Sequence, residues 1–307
     1  MSLRIAVTGA NGFVGRRLIG RAAGRRVEVV GIVRSEKGAR AVVDAGGRAA
    51  VVPGLSGDAL APALEGASAV VHLAQIGAER GDATYEAVNV GGTRAVAMAA
   101  RAAGVPRAVL FSGLGVAHYG QWRRCTNPYF LSKMAAEVEM FRSGLSVAVF
   151  RPSYIVGPGD VFVPDLARSM AGGDVELPGD GSYRMQPVAV DDAADAILAA
   201  AEGATPGPAV YDLVGPEAIS CARFLERLAA VLRGAGRPSS YVLRSIPIDE
   251  ADRQAAAGGY RGMRSDELDC MLCDEVADHR PLEALLGRFL TPLDDALAVA
   301  VRGLPRV

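Results

Sequence analysis

The sequence is poor in lysine, in cysteine and in long hydrophobic runs. Only two of its 33 basic residues, Lys37 and Lys133, are lysines, so a lysine is an unusual residue in this chain. Four cysteines in 307 residues are too few for a disulfide scaffold. No apolar run reaches the roughly 18 residues of a membrane-spanning helix, so the sequence excludes a transmembrane protein.

The chain also lacks an excess of charge of either sign. Its 33 basic and 34 acidic residues leave a formal net charge of -1, which argues against nucleic acid as a partner. A strand-like run begins at Arg4 and leaves no room for a secretory signal peptide, so we expect a cytoplasmic protein. Half of the residues are hydrophobic, enough for a sizeable core.

Short β-branched runs alternate with Ala-rich helical stretches through the first half of the chain. This alternation predicts an α/β protein with a doubly wound parallel sheet (Rossmann fold) and a smaller C-terminal substrate domain. Gly and Pro become dense after Arg151, which places the dinucleotide-binding domain at residues 1–159. We expect 186–202 to return to that domain, with a helix over 191–201 capped by Asp191 or Asp192, and 160–185 with 203–307 to form the smaller domain.

A glycine-rich turn joins the first strand to the first helix. Gly9, Gly12 and Gly15 follow the pattern G-x-x-G-x-x-G directly after the strand that ends near Val7. Such a turn lets backbone N–H groups at a helix N-terminus approach a pyrophosphate closely. The sequence therefore predicts a dinucleotide site here, against the alternative of a plain strand–turn–helix.

The end of the second strand carries Arg34, with Ser35 and Lys37 beside it. An acidic residue at this point would bind the ribose 2′-hydroxyl of NAD(H). A guanidinium instead forms paired hydrogen bonds to a 2′-phosphate, so the sequence favours NADP(H), with NAD(H) still open. The alternative is an ordinary solvated arginine, since arginine is abundant in this chain.

Tyr129 and Lys133 lie four residues apart at the start of a predicted helix, which puts them on one face. A neighbouring ammonium group stabilises a phenolate, so we expect a lowered pKa for Tyr129 that suits proton transfer. The alternative is a surface pair on a helix.

Taken together and in order, these motifs resemble the short-chain dehydrogenase/reductase family of the extended or atypical type, which includes NAD-dependent epimerases and dehydratases. The matching segments are Thr8–Gly15, Val71–Ala74, Asn89–Thr93, Phe111–Gly113, Tyr129–Lys133 and Arg151–Gly159. Residues 186–194 and, more weakly, 290–297 resemble the branch that contains the nucleotide-binding accessory subunit of mitochondrial complex I. The resemblance covers residues 4–215 and implies NADP(H)-dependent hydride transfer at a carbonyl or alcohol carbon of a small molecule.

The resemblance also implies roles for individual residues. Tyr129 would be the acid/base, Lys133 would hold the nicotinamide ribose, and Asp58 would lie at the adenine. Ala74 would line the cofactor groove, with Pro152 and Ser153 near the nicotinamide. The full cofactor-binding set is then Gly9, Asn11, Gly12, Phe13, Val14, Gly15, Arg34, Asp58, Ala74, Lys133, Pro152 and Ser153.

The sequence departs from this family at Gly113, where active members carry Ser or Thr. Ser112 is the nearest hydroxyl and the candidate replacement, although neighbours on a strand point to opposite faces. Three functions therefore stay open: an NADP(H)-dependent reductase, a non-catalytic NADP(H)-binding protein in a complex, and a nucleotide-sugar epimerase or dehydratase. We expect the reductase.

Three further features complete the sequence-based expectations. Cys270 and Cys273, with His279 nearby, lack a second pair of ligands, so we expect no metal site. His118 lies in a loop beside the predicted site and is a candidate substrate contact. The helices predicted at 85–103 and 129–142 have Ala-rich faces that could pair two copies into a homodimer or serve as core.

Overall fold

The computed structural model describes residues 3–55, 57–205 and 207–305. The predicted domain ranges also include residues 1, 2, 56, 206, 306 and 307, which lie outside the described residues. The strands are β1 Leu3–Thr8, β2 Val27–Val33, β3 Arg48–Val51, β4 Ala69–His72, β5 Arg107–Phe111, β6 Ser146–Pro152, β7 Ile155–Val156, β8 Asp174–Pro178, β9 Arg184–Met185, β10 Val188–Ala189, β11 Ala209–Leu213, β12 Ile219–Ser220 and β13 Val242–Ile246.

The helices alternate with these strands through most of the chain. They are α1 Phe13–Ala23, α2 Glu36–Asp44, α3 Gly57–Leu64, α4 Gly92–Ala102, α5 Pro128–Phe141, α6 Phe162–Ala171, α7 Val190–Glu202, α8 Cys221–Gly234, α9 Ile248–Ala256, α10 Ser265–Leu272, α11 Arg280–Leu286 and α12 Leu293–Arg302. The single helix predicted at 85–103 is instead a π-helical turn, Glu86–Gly91, followed by α4. No helix in the described ranges is long and apolar enough to cross a membrane.

Within the described residues, seven strands form one parallel sheet in the order β3-β2-β1-β4-β5-β6-β11. Apolar strand residues alternate between two cores, with Ile5 and Val7 facing one layer of helices and Ala6 and Val70 facing the other. This confirms the predicted doubly wound Rossmann fold. The strand order reverses between β1 and β4, which opens a crevice at the carboxyl edge of the sheet.

More of the C-terminal half packs with the seven-stranded sheet than the predicted domain boundaries allow. β11 pairs in parallel with β6 and so covers backbone groups that the outer edge of β6 would otherwise leave unpaired. Leu282 of α11 and Leu290 are buried in the same core as α1 and α7. Residues 209–213 and 280–290 therefore lie with the dinucleotide-binding side, whereas α6, α8 and α12 share a separate core.

Neither Asp191 nor Asp192 caps α7, contrary to prediction, because the helix begins at Val190 with Ala189 as its N-cap, which places both aspartates inside the first turn. Arg17 of α1 donates two hydrogen bonds to the Asp191 carboxylate. Asp192 accepts from the backbone N–H of Thr291 at 2.7 Å. The two carboxylates thus join α7 to α1 and to the C-terminal segment.

Candidate active site

The glycine turn after β1 leaves its outer side open. Gly9 has φ +68°, and a Cβ there would lie 2.8 Å from the Ala74 backbone nitrogen. A Cβ on Gly15 would lie 2.7 Å from the backbone of Ala10, so this glycine lets α1 approach β1. Gly12 is exposed and directly precedes α1. The turn therefore leaves the α1 N-terminus accessible to a pyrophosphate, as the motif predicts.

A groove of about 360 Å³ runs from this turn across the carboxyl edge of the sheet. Its walls come from the glycine turn, from the ends of β4, β5 and β6, and from the segment before α6. The lining residues are Gly9, Gly12, Phe13, Val14, Gly15, Leu73, Gln75, Phe111, Pro152, Ser153, Ile155, Asp160, Val161 and Phe162. The groove crosses the switch point between β1 and β4, where dinucleotides bind in doubly wound sheets.

The residues predicted around the adenosine lie at the far side of this edge. Arg34 and Lys37 are exposed just beyond β2, and Ser35 caps α2 by accepting from the Gly38 N–H. Asn11 is exposed, and its side-chain amide lies 3.3 Å from where a Cβ on Gly38 would sit. Asp58 is exposed in the first turn of α3.

Lys133 is buried where the groove meets a second cavity. Asn127 caps α5 by accepting from the Phe130 N–H at 3.0 Å, which sets the start of the helix. The Lys133 ammonium donates to the Phe111 carbonyl at 2.6 Å and to the Gln75 side-chain oxygen. Burial lowers the pKa of Lys133 to about 7, opposed by the nearby carboxylate of Glu137.

Tyr129 is half-buried one helical turn before Lys133, and its ring borders the second cavity. Burial raises the pKa of Tyr129 above its usual value, and the nearby Cys270 and Glu275 raise it further. The predicted lowering of this pKa is therefore wrong for this structure. Lys133 is itself desolvated and donates to Phe111 and Gln75, so it does not offset the burial of the phenol.

The Ser112 hydroxyl and the Gly113 position face in different directions. The hydroxyl donates to the Glu137 carboxylate at 2.5 Å, and Glu137 in turn accepts two hydrogen bonds from Arg151, at 2.9 and 2.7 Å. A Cβ on Gly113 would instead lie 3.8 Å from Cε1 of Tyr129. Ser112 borders the cavity, but its hydroxyl belongs to a buried structural network, which argues against the catalytic role predicted for it.

The second cavity, of about 390 Å³, shares Gln75, Pro152, Ser153 and Phe162 with the cofactor groove. Its other lining residues are Gly77, Ser112, Gly113, Tyr129, Phe130, Tyr154, Met263, Glu267, Cys270, Met271 and Glu275. None of these described lining residues is basic, and two of them, Glu267 and Glu275, are carboxylic acids. Four aromatic and two thioether side chains give the wall a large apolar surface, so the cavity suits a largely apolar molecule.

The sequence predicted a substrate domain that contains the C-terminal part of this wall, but it did not single out the individual residues there. Gln75, three residues after the end of β4, could have been found because residues at the carboxyl ends of parallel strands meet at one edge. Met263, Cys270, Met271 and Glu275 come from the C-terminal segment, where no spacing or motif marks them as neighbours of Tyr129.

The histidines lie outside the lining of this cavity. His118 stacks on Trp122 with ring centroids 3.6 Å apart and does not line the cavity, so the structure adds no support to it as a substrate contact. His72 bonds through Nδ1 to the Thr8 hydroxyl at 2.6 Å. Burial, with the Lys133 charge nearby, lowers the pKa of His72 to about 3, so it is a neutral core residue.

Three cysteines lie near the cavity. Sγ of Cys125 is 3.1 Å from Sγ of Cys273, and Cys270 lines the wall. Over the ranges that the structure describes, no group of three His, Cys, Asp or Glu residues is arranged to hold a metal ion.

Comparison with known proteins gives this chain relatives by sequence and by fold. The sequence profile described as NAD dependent epimerase/dehydratase family matches residues 5–213. The 2-alkyl-3-oxoalkanoate reductase of Stenotrophomonas maltophilia is 32% identical over 232 residues, which are 67% of this chain and 68% of that protein. The 4-hydroxy-2-methyl-3-oxo-4-farnesyl-3,4-dihydroquinoline-1-oxide ketoreductase of Stigmatella aurantiaca is 28% identical over 242 residues, 74% and 72% of the two chains. The structure of MoeE5 in complex with UDP-glucuronic acid and NAD matches with a TM-score of 0.72 at 26% identity, over 98% of each chain.

Proposed function

Because the chain belongs to the NAD dependent epimerase/dehydratase family, we propose that it is an NADP(H)-dependent reductase of an uncharged, largely apolar carbonyl compound. The observation that carries this proposal is the cavity that joins the cofactor groove at Gln75, Pro152 and Ser153 and contains Tyr129. A carbonyl group in this cavity would lie between the tyrosine hydroxyl and the nicotinamide end of the groove.

The residues of this chain fit a nicotinamide dinucleotide. The glycine turn would hold the pyrophosphate, and Arg34 would bind a 2′-phosphate if the cofactor is NADP(H). The bound cofactor supplies the hydride. Tyr129 would give its proton to the carbonyl oxygen, and Lys133 would exchange its hydrogen bond to Gln75 for the ribose hydroxyls.

The charge of the cavity favours a reductase over a nucleotide-sugar epimerase. MoeE5 was solved with UDP-glucuronic acid, and the diphosphate of such a ligand calls for arginine or lysine partners. The described lining of the cavity here has none and carries Glu267 and Glu275 instead. The two curated relatives are named as reductases of compounds with alkyl or farnesyl groups, which agrees with an apolar wall.

The second candidate is a non-catalytic NADP(H)-binding protein, and Gly113 is the observation that favours it. Active members of the resembled family have a hydroxyl at this position, and its loss removes one hydrogen bond to the substrate oxygen. The resemblance of 186–194 to the complex I branch remains a prediction and points the same way.

Replacement of Tyr129 by phenylalanine separates these two candidates. With NADPH and a panel of alkyl ketones and 3-oxo esters, we expect Tyr129→Phe to lower kcat by about 10²–10⁴-fold, because the proton donor is lost. The Kd for NADPH should change little. The matched control is Tyr211→Phe, which alters a tyrosine on β11 outside the cavity. A wild-type protein that binds NADPH and yet oxidises none of it with this panel would favour the non-catalytic candidate.

A further inference from the structure

Carbonyl reduction develops negative charge on the oxygen, and enzymes stabilise that charge with hydrogen-bond donors placed in advance. Tyr129 is one donor. The position beside it, Gly113, has no side chain, and the Ser112 hydroxyl is held by Glu137. The proposed reductase therefore needs a second donor from elsewhere in the cavity.

We propose that Glu275 is this second donor: its carboxyl group hydrogen-bonds the substrate oxygen in place of the missing hydroxyl at position 113. The inference rests on the proposed reductase function. Glu275 lines the same cavity as Tyr129 and Gly113 and approaches it from the C-terminal segment.

The backbone around Glu275 is held rigidly. Its N–H donates to the Arg184 carbonyl at 2.9 Å, and its own carbonyl accepts from the Ser153 hydroxyl at 3.2 Å. Two residues later, the Ala277 N–H donates to the Gln186 side chain at 2.9 Å. A side chain on so constrained a segment can be placed accurately, as hydrogen bonding to a substrate oxygen requires.

The surroundings of Glu275 favour its neutral, proton-bearing form. The residue is only 9% exposed, and among the described ion pairs none joins a basic side chain to its carboxylate. Burial raises the pKa of Glu275 to about 8, with the Ser153 hydroxyl acting in the opposite direction and Cys125 adding to the rise. At pH 7 the carboxyl group is thus mainly protonated and can donate a hydrogen bond.

The titratable groups that line the cavity with Glu275 or act on its carboxyl group come from several elements, and none of them is a cation. They are Tyr129 on α5, Tyr154 after β6, Cys125 before α5, Cys270 and Glu267 on α10, and Cys273 at its end. The side chain of Arg184, whose backbone pairs with Glu275, bonds Asp274 instead. The Glu267 carboxylate accepts from the Arg264 N–H at 2.9 Å and caps α10. These neighbours do not stabilise a charged Glu275.

The roles of the two donors differ in the reaction. The carbonyl carbon takes the hydride, the C=O π electrons move to oxygen, and the oxygen takes the proton of Tyr129. Glu275 donates a hydrogen bond to the same oxygen as negative charge develops on it. The product is an alcohol, and the protein regains one proton from solvent.

Two substitutions of Glu275 test this role, with ethyl 3-oxooctanoate and NADPH as the probe. Glu275→Leu should lower kcat by about 10²–10³-fold, as loss of one such donor does elsewhere. Glu275→Gln, whose amide N–H can still donate, should stay within about fivefold of the wild type. Wild-type kcat should fall as the pH rises above about 8, where Glu275 loses its proton, and this fall should be absent in Glu275→Gln.

A neighbouring substitution controls for damage to the segment. Asp274 bonds Arg184 on the outer side, so Asp274→Asn disturbs the same backbone without entering the cavity. It should leave kcat within about threefold of the wild type. Equal losses in Asp274→Asn and Glu275→Leu would overturn the proposed role in favour of a structural one.

A hydroxyl restored at position 113 gives the sharpest test. A Cβ there meets nothing closer than 3.5 Å, so Gly113→Ser fits without displacing Phe130. In the Glu275→Leu background, Gly113→Ser should recover at least tenfold in kcat. If Glu275→Leu alone kept the kcat of the wild type, the inference would be overturned and the proposed function would stand.

Binding of the probe separates failure of this inference from failure of the proposed function. If the wild type does not reduce the probe, the proposed function fails for it, and Glu275 is tested by the Kd of the probe in the presence of NADP+. A Kd at least threefold weaker in Glu275→Leu, with an unchanged Kd for NADP+, supports the hydrogen bond. An unchanged probe Kd overturns it.

Discussion

The two parts of the cleft are built in opposite ways. The cofactor groove takes its glycine turn from seven consecutive residues, Gly9 to Gly15, between β1 and α1. The substrate cavity joins Gln75, Gly113 and Tyr129 to Glu275, which is far away along the chain. Local backbone geometry defines the groove, whereas only the folded C-terminal segment completes the cavity.

The two parts also differ in charge. Exposed Arg34 and Lys37 lie beyond β2, on the side where a phosphorylated adenosine would bind. The described wall of the substrate cavity has carboxylic acids and no basic residue. This difference would direct an anionic cofactor and an uncharged substrate to opposite ends of one cleft.

The largest effect should come from the groove. Gly12→Val places a branched side chain where the pyrophosphate would lie, so we expect NADPH binding to weaken by about 100-fold or more. Isothermal titration measures the Kd. The matched control is Gly20→Val on α1, where an added Cβ meets no atom within 4 Å. An NADPH-induced rise in Tm that persisted in Gly12→Val would contradict the site assignment.

Cofactor choice should depend on the exposed end of the groove. NADPH should bind more tightly than NADH by about 10- to 100-fold, from charge-assisted hydrogen bonds to Arg34. Arg34→Asp should reverse the order, whereas Arg40→Asp, at another exposed position on α2, should not. Equal Kd values for the two cofactors in the wild type would refute this role for Arg34.

Ser112 and Gly113 are adjacent, and a substitution of Ser112 separates a structural role of its hydroxyl from a catalytic one. Ser112→Ala removes a buried hydrogen bond to Glu137 and should lower the free energy of unfolding by about 1–3 kcal/mol. Turnover by the folded protein should change less than threefold, because the hydroxyl faces away from Tyr129. Urea unfolding and steady-state kinetics measure the two effects. A large loss of kcat with unchanged stability would return Ser112 to the catalytic set.

The outer face of α4 and α5 should affect assembly and leave the cleft unchanged. It exposes apolar side chains, with Met98 66%, Val138 48%, Leu131 46% and Phe141 37% exposed, and we expect it to pair two copies into a homodimer. Met98→Glu with Val138→Glu should give a monomer in sedimentation, with little change in the Kd for NADPH. The control is Val43→Glu, at an exposed position of α2. A monomeric wild type would refute the prediction.

The fold was predictable because its signals are local. Buried strands read as short apolar runs, and the glycine turn follows β1 directly. The domain boundary was less predictable because β11 joins β6 across more than 50 residues of intervening chain. The π-helical turn at Glu86–Gly91 was also missed, since its sequence has the composition of an ordinary helix.

The site residues, too, were predictable where the signal is local and unpredictable where distant residues decide. Tyr129 and Lys133 were found because four residues make one helical turn. The raised pKa of Tyr129 was not predicted from the sequence, because it depends on burial and on the nearby Cys270 and Glu275. The direction of the Ser112 hydroxyl likewise depends on Glu137, which helix α5 brings to β5.

The parallel sheet, the glycine turn and the spacing of Tyr129 and Lys133 follow from the order of the residues alone, because each depends on backbone conformation over a few consecutive residues. The side chains that face Tyr129, the protonation of a buried group and the cavity that Glu275 shares with Gly113 depend on how the chain packs. Desolvation and long-range contact depend on the packed neighbours of a residue, and these neighbours come from segments that the chain order keeps apart.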